Sequence, residues 1–182
     1  MGIWLDQLER ESQESRALTQ QQLRDRDTLR SALEEAHDAA VLRSGEDTVL
    51  LLLDVHLKPD PTGASLPLVE GQELTHNELV RMGLPVYALR DGQACVLLRG
   101  ASNEAVKTLL ARLTRRVSDH TQGRFGILFG AARASEARRS CSDWMTLADL
   151  RFQARQSRLA ATASVASSVL ARRAERRRTG QR

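Results

Sequence analysis

The sequence predicts an α+β sandwich, a central and mostly antiparallel sheet covered by helices and preceded by a long N-terminal helix. Three observations carry this expectation. The elements read in the order helix, strand, loop, helix, hairpin, helix, strand, helix, so strands and helices are interspersed without a regular βαβ repeat. One run, "TVLLLLDVHLK", is apolar over five consecutive positions, Val49 to Leu53, which suits a strand buried on both faces. Another, "VYALRDGQACVLLRG", joins two apolar runs at an Asp-Gly pair, the clearest hairpin signal in the chain.

From Trp4 to Leu42 there is no Gly or Pro, and Gln, Glu, Arg, Leu and Ala dominate, so a single long helix is predicted. Its sparse stripe of Leu5, Leu8, Leu18, Leu29, Leu33, Ala36 and Ala40 either pairs with a second copy or, over its C-terminal half, packs on its own domain. Gly45 ends the helix ahead of the buried strand. "PDPTGASLPL" holds three prolines and a glycine and reads as a loop. "EGQELTHNELVRMG" has helical spacing and stops at Gly83. The Asp91-Gly92 pair predicts a two-residue type I′ turn. "SNEAVKTLLARLTRRVSDH" opens on a Ser or Asn cap and sets Ala105, Leu109, Leu113 and Val117 on one face. In "GRFGILFGAAR" the glycines suggest a strand with either a close backbone approach or a bulge. "SDWMTLADLRFQARQSRLAATASVASSVLARRAE" predicts one or two final helices capped by Ser142 or Asp143, with Trp144 and Phe152 turned to the sheet.

Composition narrows the function. The chain has 182 residues and 41% hydrophobic content, enough for a core, but only 3% aromatics, which leaves no stacking platform for bases and argues against nucleic acid as a partner. The formal charge of +4 comes from the last eleven residues, "RRAERRRTGQR", with six Arg against one Glu. The body is nearly neutral, and the tail reads either as a solvated end or as a contact for an anionic partner. Cys95 and Cys141 form no CxxC pair, and no apolar run reaches the length of a membrane span. A reduced, cytoplasmic protein without a transmembrane segment is expected. His37, His56, His76 and His120 fall on separate elements without metal-ligand spacing, so neither metal nor cofactor is expected. Ser140-Cys141-Ser142 lacks a nucleophile elbow and reads as a loop before a helix cap, while Cys95 reads as a buried core thiol.

Five segments in this order resemble the GGDEF domain, the module of bacterial diguanylate cyclases that joins two GTP molecules into cyclic di-GMP. The resemblance spans Thr48 to Arg158. "LLLLDVHLK" is similar to the family's first strand, "EGQELTHNELVRMG" to the helix that opens with Gly-Asp, "YALRDGQACVLL" to the signature hairpin, "GRFGILFGAA" to the Ser-Ile-Gly strand and "LADLRFQARQSR" to the last helix. The resemblance implies a division into a helix at 1–44 for dimerisation or signalling, a degenerate GGDEF-like domain at 45–160 and a helical, Arg-rich tail at 161–182.

The same resemblance argues against catalysis. Phosphoryl transfer of this kind needs divalent ions to neutralise the triphosphate and to lower the pKa of the attacking hydroxyl. In the family the ions are held by the first Asp of the strand, matched by Asp54, and by the acidic fourth letter of the signature, matched by Ala94. Asp54 is thus the only matched metal-ligand position. The signature aligns as Asp91, Gly92, Gln93, Ala94 and Cys95, so its first glycine has become a carboxylate that repels phosphate. His56 replaces the second Asp of the strand, Gln72 the guanine-reading Asp, and Arg155 the Lys of the last helix. The family's inhibitory product site, Arg-x-x-Asp, is matched by Arg81 without its Asp, and Arg90 with Asp91 supplies an alternative pair. The implied function is an inactive regulatory or scaffolding module with a protein partner, dimeric through its N-terminal helix. The alternatives are a cyclic di-GMP receptor using Arg81, Arg90 and Asp91, and a weak diguanylate cyclase.

Overall fold

The computed structural model describes residues 26–41, 46–58, 67–89 and 92–179, the first two and the last seventeen of these as backbone alone. The elements are α1 (Arg26–Val41), β1 (Thr48–Leu57), α2 (Leu68–Arg81), β2 (Val86–Ala88), β3 (Ala94–Arg99), α3 (Asn103–His120), β4 (Phe125–Arg133), a 3-10 turn (Ala134–Glu136) and α4 (Cys141–Thr179). The strands form one sheet in the order β2-β3-β1-β4, every pairing antiparallel.

β1 lies between β3 and β4, and its side chains alternate between two apolar layers. Leu50 and Leu52 meet Leu29, Leu33 and Ala36 of α1 and Trp144, Ala148 and Phe152 of α4. Val49, Leu51, Leu53 and Val55 meet Leu79 of α2 and Val106, Leu110, Leu113 and Val117 of α3. Both faces are covered, so the run shows no polar alternation. Trp144 is fully buried and its indole N–H donates to the Ala132 carbonyl at 2.9 Å, which fastens α4 to β4.

Packing decides some of the expectations left open and corrects others. The α1 stripe is spent on its own domain, so pairing with a second copy through Leu29, Leu33 and Ala36 is not available; Leu5, Leu8, Leu18 and Trp4 lie outside the described residues. α2 begins at Leu68, directly after Pro67, whose fixed φ suits a helix entry. α3 buries Val106 and Leu110 in place of Ala105 and Leu109, one position further along the wheel, because the way the helix seats on the sheet selects which of two adjacent apolar residues turns inward. Its cap is Ser102, whose hydroxyl accepts from the Ala105 N–H at 3.1 Å. α4 is one helix, capped by Ser140 and not by Ser142 or Asp143, since the Asp143 N–H donates to Ser140 Oγ at 3.0 Å. It crosses residue 160, the expected end of the domain, without a break.

The hairpin also differs. Ala88 pairs with Ala94 and the Leu89 N–H donates to the Gln93 carbonyl at 2.8 Å, so the loop holds three residues, 90 to 92, and not two. Gly92 occupies its last position at φ 78°, the left-handed residue that such a loop requires. Asp91 and Arg90 lie outside the described residues.

Candidate functional site

The end of β1, the first turns of α2 and the base of the hairpin converge on Asp54. Its Oδ1 accepts from the Val55 N–H at 2.7 Å and from the Gln72 side-chain amide at 3.2 Å. Gln72 in turn rests against Gly92, where any added Cβ would collide with the Gln72 amide. His76, one helical turn after Gln72, lies beside the Gly92 backbone, and Asp54 and Glu73 lie close enough to bias its charge. Asp54, Gln72, His76 and Gly92 therefore form one cluster.

The strand register corrects the match at Ala94. Ala94 pairs with Leu53 and is buried in the layer under α2 and α3, on the face opposite Asp54. Continued by one residue, the same register sets Gln93 across from Asp54, because side chains alternate strictly along a strand. The Gln72 amide thus meets the one carboxylate, and the hairpin position of matching parity carries a second amide, Gln93, where a metal site would need acids. Sequence reasoning missed Gln93 as the facing residue, although Cys95 and Leu97, both in the Leu52 layer, give its parity. It also missed His76, for which the four-residue spacing from Gln72 on a helix was the available signal.

The two histidines that feel the Asp54 charge, His56 and His76, are electrically quiet. Burial pushes the His56 pKa below its ordinary value, and its ring lies against Gly126, the residue paired with it on β4. Burial also lowers that of His76, whose Nε2 has no hydrogen-bond partner. Neither imidazole supplies positive charge for a phosphate near neutrality. Among the described residues no group of three or more His, Cys, Asp and Glu side chains could hold a metal ion.

The remaining site candidates lie apart from this cluster. Arg155, matched to the family lysine, stacks on Phe129 with its guanidinium 3.7 Å from the ring centroid, at the outer edge of the sheet. Arg81 is exposed at the end of α2 and donates to Glu78 at 3.0 Å, a carboxylate that is itself buried. Arg90 and Asp91, the expected alternative pair, lie outside the described residues. Cys95 is buried, and burial pushes its thiol up to about 12, as a core residue requires.

No protein-family model matches the chain, and no curated protein matches it. The three-dimensional comparison gives a different answer. The GGDEF domain of FimX from Pseudomonas aeruginosa superposes with a TM-score of 0.54 at 19% identity, over 72% of this chain and 87% of that one. The fold is that of a GGDEF domain. The coiled coil and GGDEF domain of DgcB from Caulobacter crescentus, solved in complex with c-di-GMP, gives 0.59 at 17% identity, over 86% of this chain and 90% of that one. A sensory box/GGDEF family protein from Caulobacter crescentus gives 0.55 at 23% identity, over 74% and 94%. No described helix is long and apolar enough to cross a membrane.

Proposed function

We propose that this chain is a catalytically inactive GGDEF-like domain that serves as a regulatory or scaffolding protein-interaction module in a bacterial cyclic di-GMP-linked system. One observation carries the reading: Asp54 has amides for neighbours. Gln72 donates to it directly, and Gln93 stands next to Ala94, the last residue of β3 paired with β1, so a single carboxylate stands where divalent ions would need at least two. An amide oxygen is a neutral and weaker ligand for a hard cation, and two neutral histidines add none of the missing charge. With Gln72 resting on Gly92, the space between helix and hairpin is taken up by the chain's own side chain.

The test is incubation with GTP and Mg²⁺ or Mn²⁺ while pyrophosphate is followed. No release above the buffer control is expected, and sustained release that depends on Asp54 would overturn the reading. A second reading, a cyclic di-GMP receptor, is favoured by one observation, that a structural neighbour was solved with c-di-GMP bound. Here Arg81 would have to leave Glu78, a buried carboxylate whose loss of partner carries a cost. Calorimetry with cyclic di-GMP decides between them: heat that Arg81→Ala abolishes supports the receptor, and none at high micromolar ligand supports the interaction module.

A further inference from the structure

A cleft of about 580 Å³ opens between the 3-10 turn and the first turns of α4, on the side where β4 ends. Its base is apolar: Ala137 is buried, Leu147 is half-buried and Leu150 is 58% exposed, a large aliphatic side chain left in a concave surface. Arg138 and Arg139 stand at its rim on the turn that precedes α4.

The charges of this cleft are unevenly satisfied. Glu136 accepts two bonds from the Arg151 guanidinium, both 2.8 Å, and one from the Arg133 N–H at 2.7 Å; the Arg151 bonds hold its carboxyl below the ordinary range. Asp143 sits in the first turn of α4, where the helix dipole favours a negative charge. Arg138 reaches only a backbone carbonyl, that of Ser135, and neither it nor Arg139 forms an ion pair with a described residue. Two cations thus face solvent beside an uncovered leucine.

The segment that presents them is tied down from three sides. His37 of α1 donates from Nε2 to the Ala137 carbonyl at 2.8 Å, Asp47 accepts from the Ser135 N–H at 3.1 Å and from its hydroxyl at 2.7 Å, and Arg151 of α4 grips Glu136. A backbone held in place beside apolar surface, presenting cations that pair with no described residue, lowers the entropy lost when a partner is recognised. Bidentate guanidinium groups select carboxylates, and the volume accommodates one large side chain with its flanking backbone.

We propose that this cleft is a docking surface for a protein segment carrying an Asp or Glu carboxylate beside a large aliphatic or aromatic side chain. The apolar side chain covers Leu150 and Leu147, and the carboxylate meets Arg138 and Arg139. The proposal rests on the interaction-module reading and names the surface that such a module would use.

The test takes the full chain, immobilised, through selection against a random dodecapeptide phage library, followed by affinity measurement of the enriched sequences as synthetic peptides. Enriched peptides are expected to pair an acidic with a large apolar residue. Leu150→Glu and the double variant Arg138→Ala/Arg139→Ala are each expected to weaken them by about tenfold or more. Leu159→Glu, on the exposed side of α4 beyond the cleft, is expected to leave the affinity unchanged, and circular dichroism confirms that all variants fold. A library that yields no enrichment, or peptides that bind the cleft variants as tightly as the parent, would overturn the proposal. Peptides indifferent to the cleft leave the module reading standing, whereas GTP turnover by the same preparation strikes that reading alone.

Discussion

Gly130 of β4 lies directly beneath α4, and replacing it with Ala tests how that helix is seated. The new methyl would sit 2.6 Å from the Phe152 nitrogen and 2.7 Å from the Phe152 Cβ, and closer still to the Ala148 carbonyl oxygen. Ordinary contact begins at 3.4 Å and the carbonyl oxygen is the nearest atom, so the helix must retreat by more than about 0.8 Å. Most of the opposing atoms are backbone, and no change of rotamer relieves them. The retreat loosens Trp144, Ala148 and Phe152 together, all of them buried against β1 and β4. Overpacking a close-packed core costs about 1–3 kcal/mol, and contact with backbone places this case near about 3. For a chain of this size that corresponds to a fall in Tm of roughly 6–12 °C. Thermal unfolding followed by circular dichroism measures the loss, and fluorescence reports whether the Trp144 indole has left the Ala132 carbonyl. Gly83→Ala is the control, since Gly83 has φ +75° with nothing within 4 Å of an added methyl. It should cost about 1–2 kcal/mol through backbone strain and leave Trp144 emission unchanged. A Gly130→Ala protein that unfolds within about 1 °C of the parent, with unshifted emission, would refute the seating of α4 on β4.

Other predictions follow from the site and its surroundings. Gln93→Glu places a second carboxylate across from Asp54, at a cross-strand Cβ separation of about 5 Å, and should confer sensitised Tb³⁺ luminescence that the parent lacks; equal luminescence in both would count against the register. Burial lowers the pKa values of His56 and His76 in the folded state, so the unfolded chain binds more protons on acidification. Their contribution is complete above the unfolded value of 6.5 and is lost as pH falls below it, so the urea midpoint should drop between pH 7 and pH 5. The drop should shrink in His76→Gln; an undiminished drop in that variant would exclude His76 as a cause. Phe152→Ala empties a core position and should cost about 3–5 kcal/mol in denaturant unfolding. A double-mutant cycle across Glu136 and Arg151, both more than a third exposed, should give a coupling of no more than about 1 kcal/mol despite the paired geometry.

Much of the architecture was legible because it depends on local pattern. The five-residue apolar run marked β1 as doubly buried, and Gly83 marked the end of α2, where it adopts a positive φ. The helix of residues 103–120 was legible as an element but off by one position in its buried stripe, since only the packed sheet decides which of two adjacent apolar residues turns inward. The hairpin was legible as a hairpin, while its loop length depended on the pairing of Ala88 with Ala94, a relation between strands that an Asp-Gly pair does not specify. The loss of acidic residues from the candidate site was visible as Gln72, Gln93 and Ala94. Which of them faces Asp54 was not, because strand parity matters only once two strands are in register.

Taken alone, the sequence determined the order of elements, the doubly covered central strand, the scarcity of carboxylates at the candidate site and the basic end of the chain, all of which follow from residue type and periodicity. Only the tertiary structure decided that the α1 stripe serves its own domain, that Gln72 closes on Asp54 and Gly92, that Arg155 lies on Phe129, and that Leu150 is left open beside Arg138 and Arg139. The first three are contacts between elements far apart in the chain, and the last depends on what the packing of α4 leaves uncovered. Local preference sets what an element is, and packing against distant partners sets what its side chains touch.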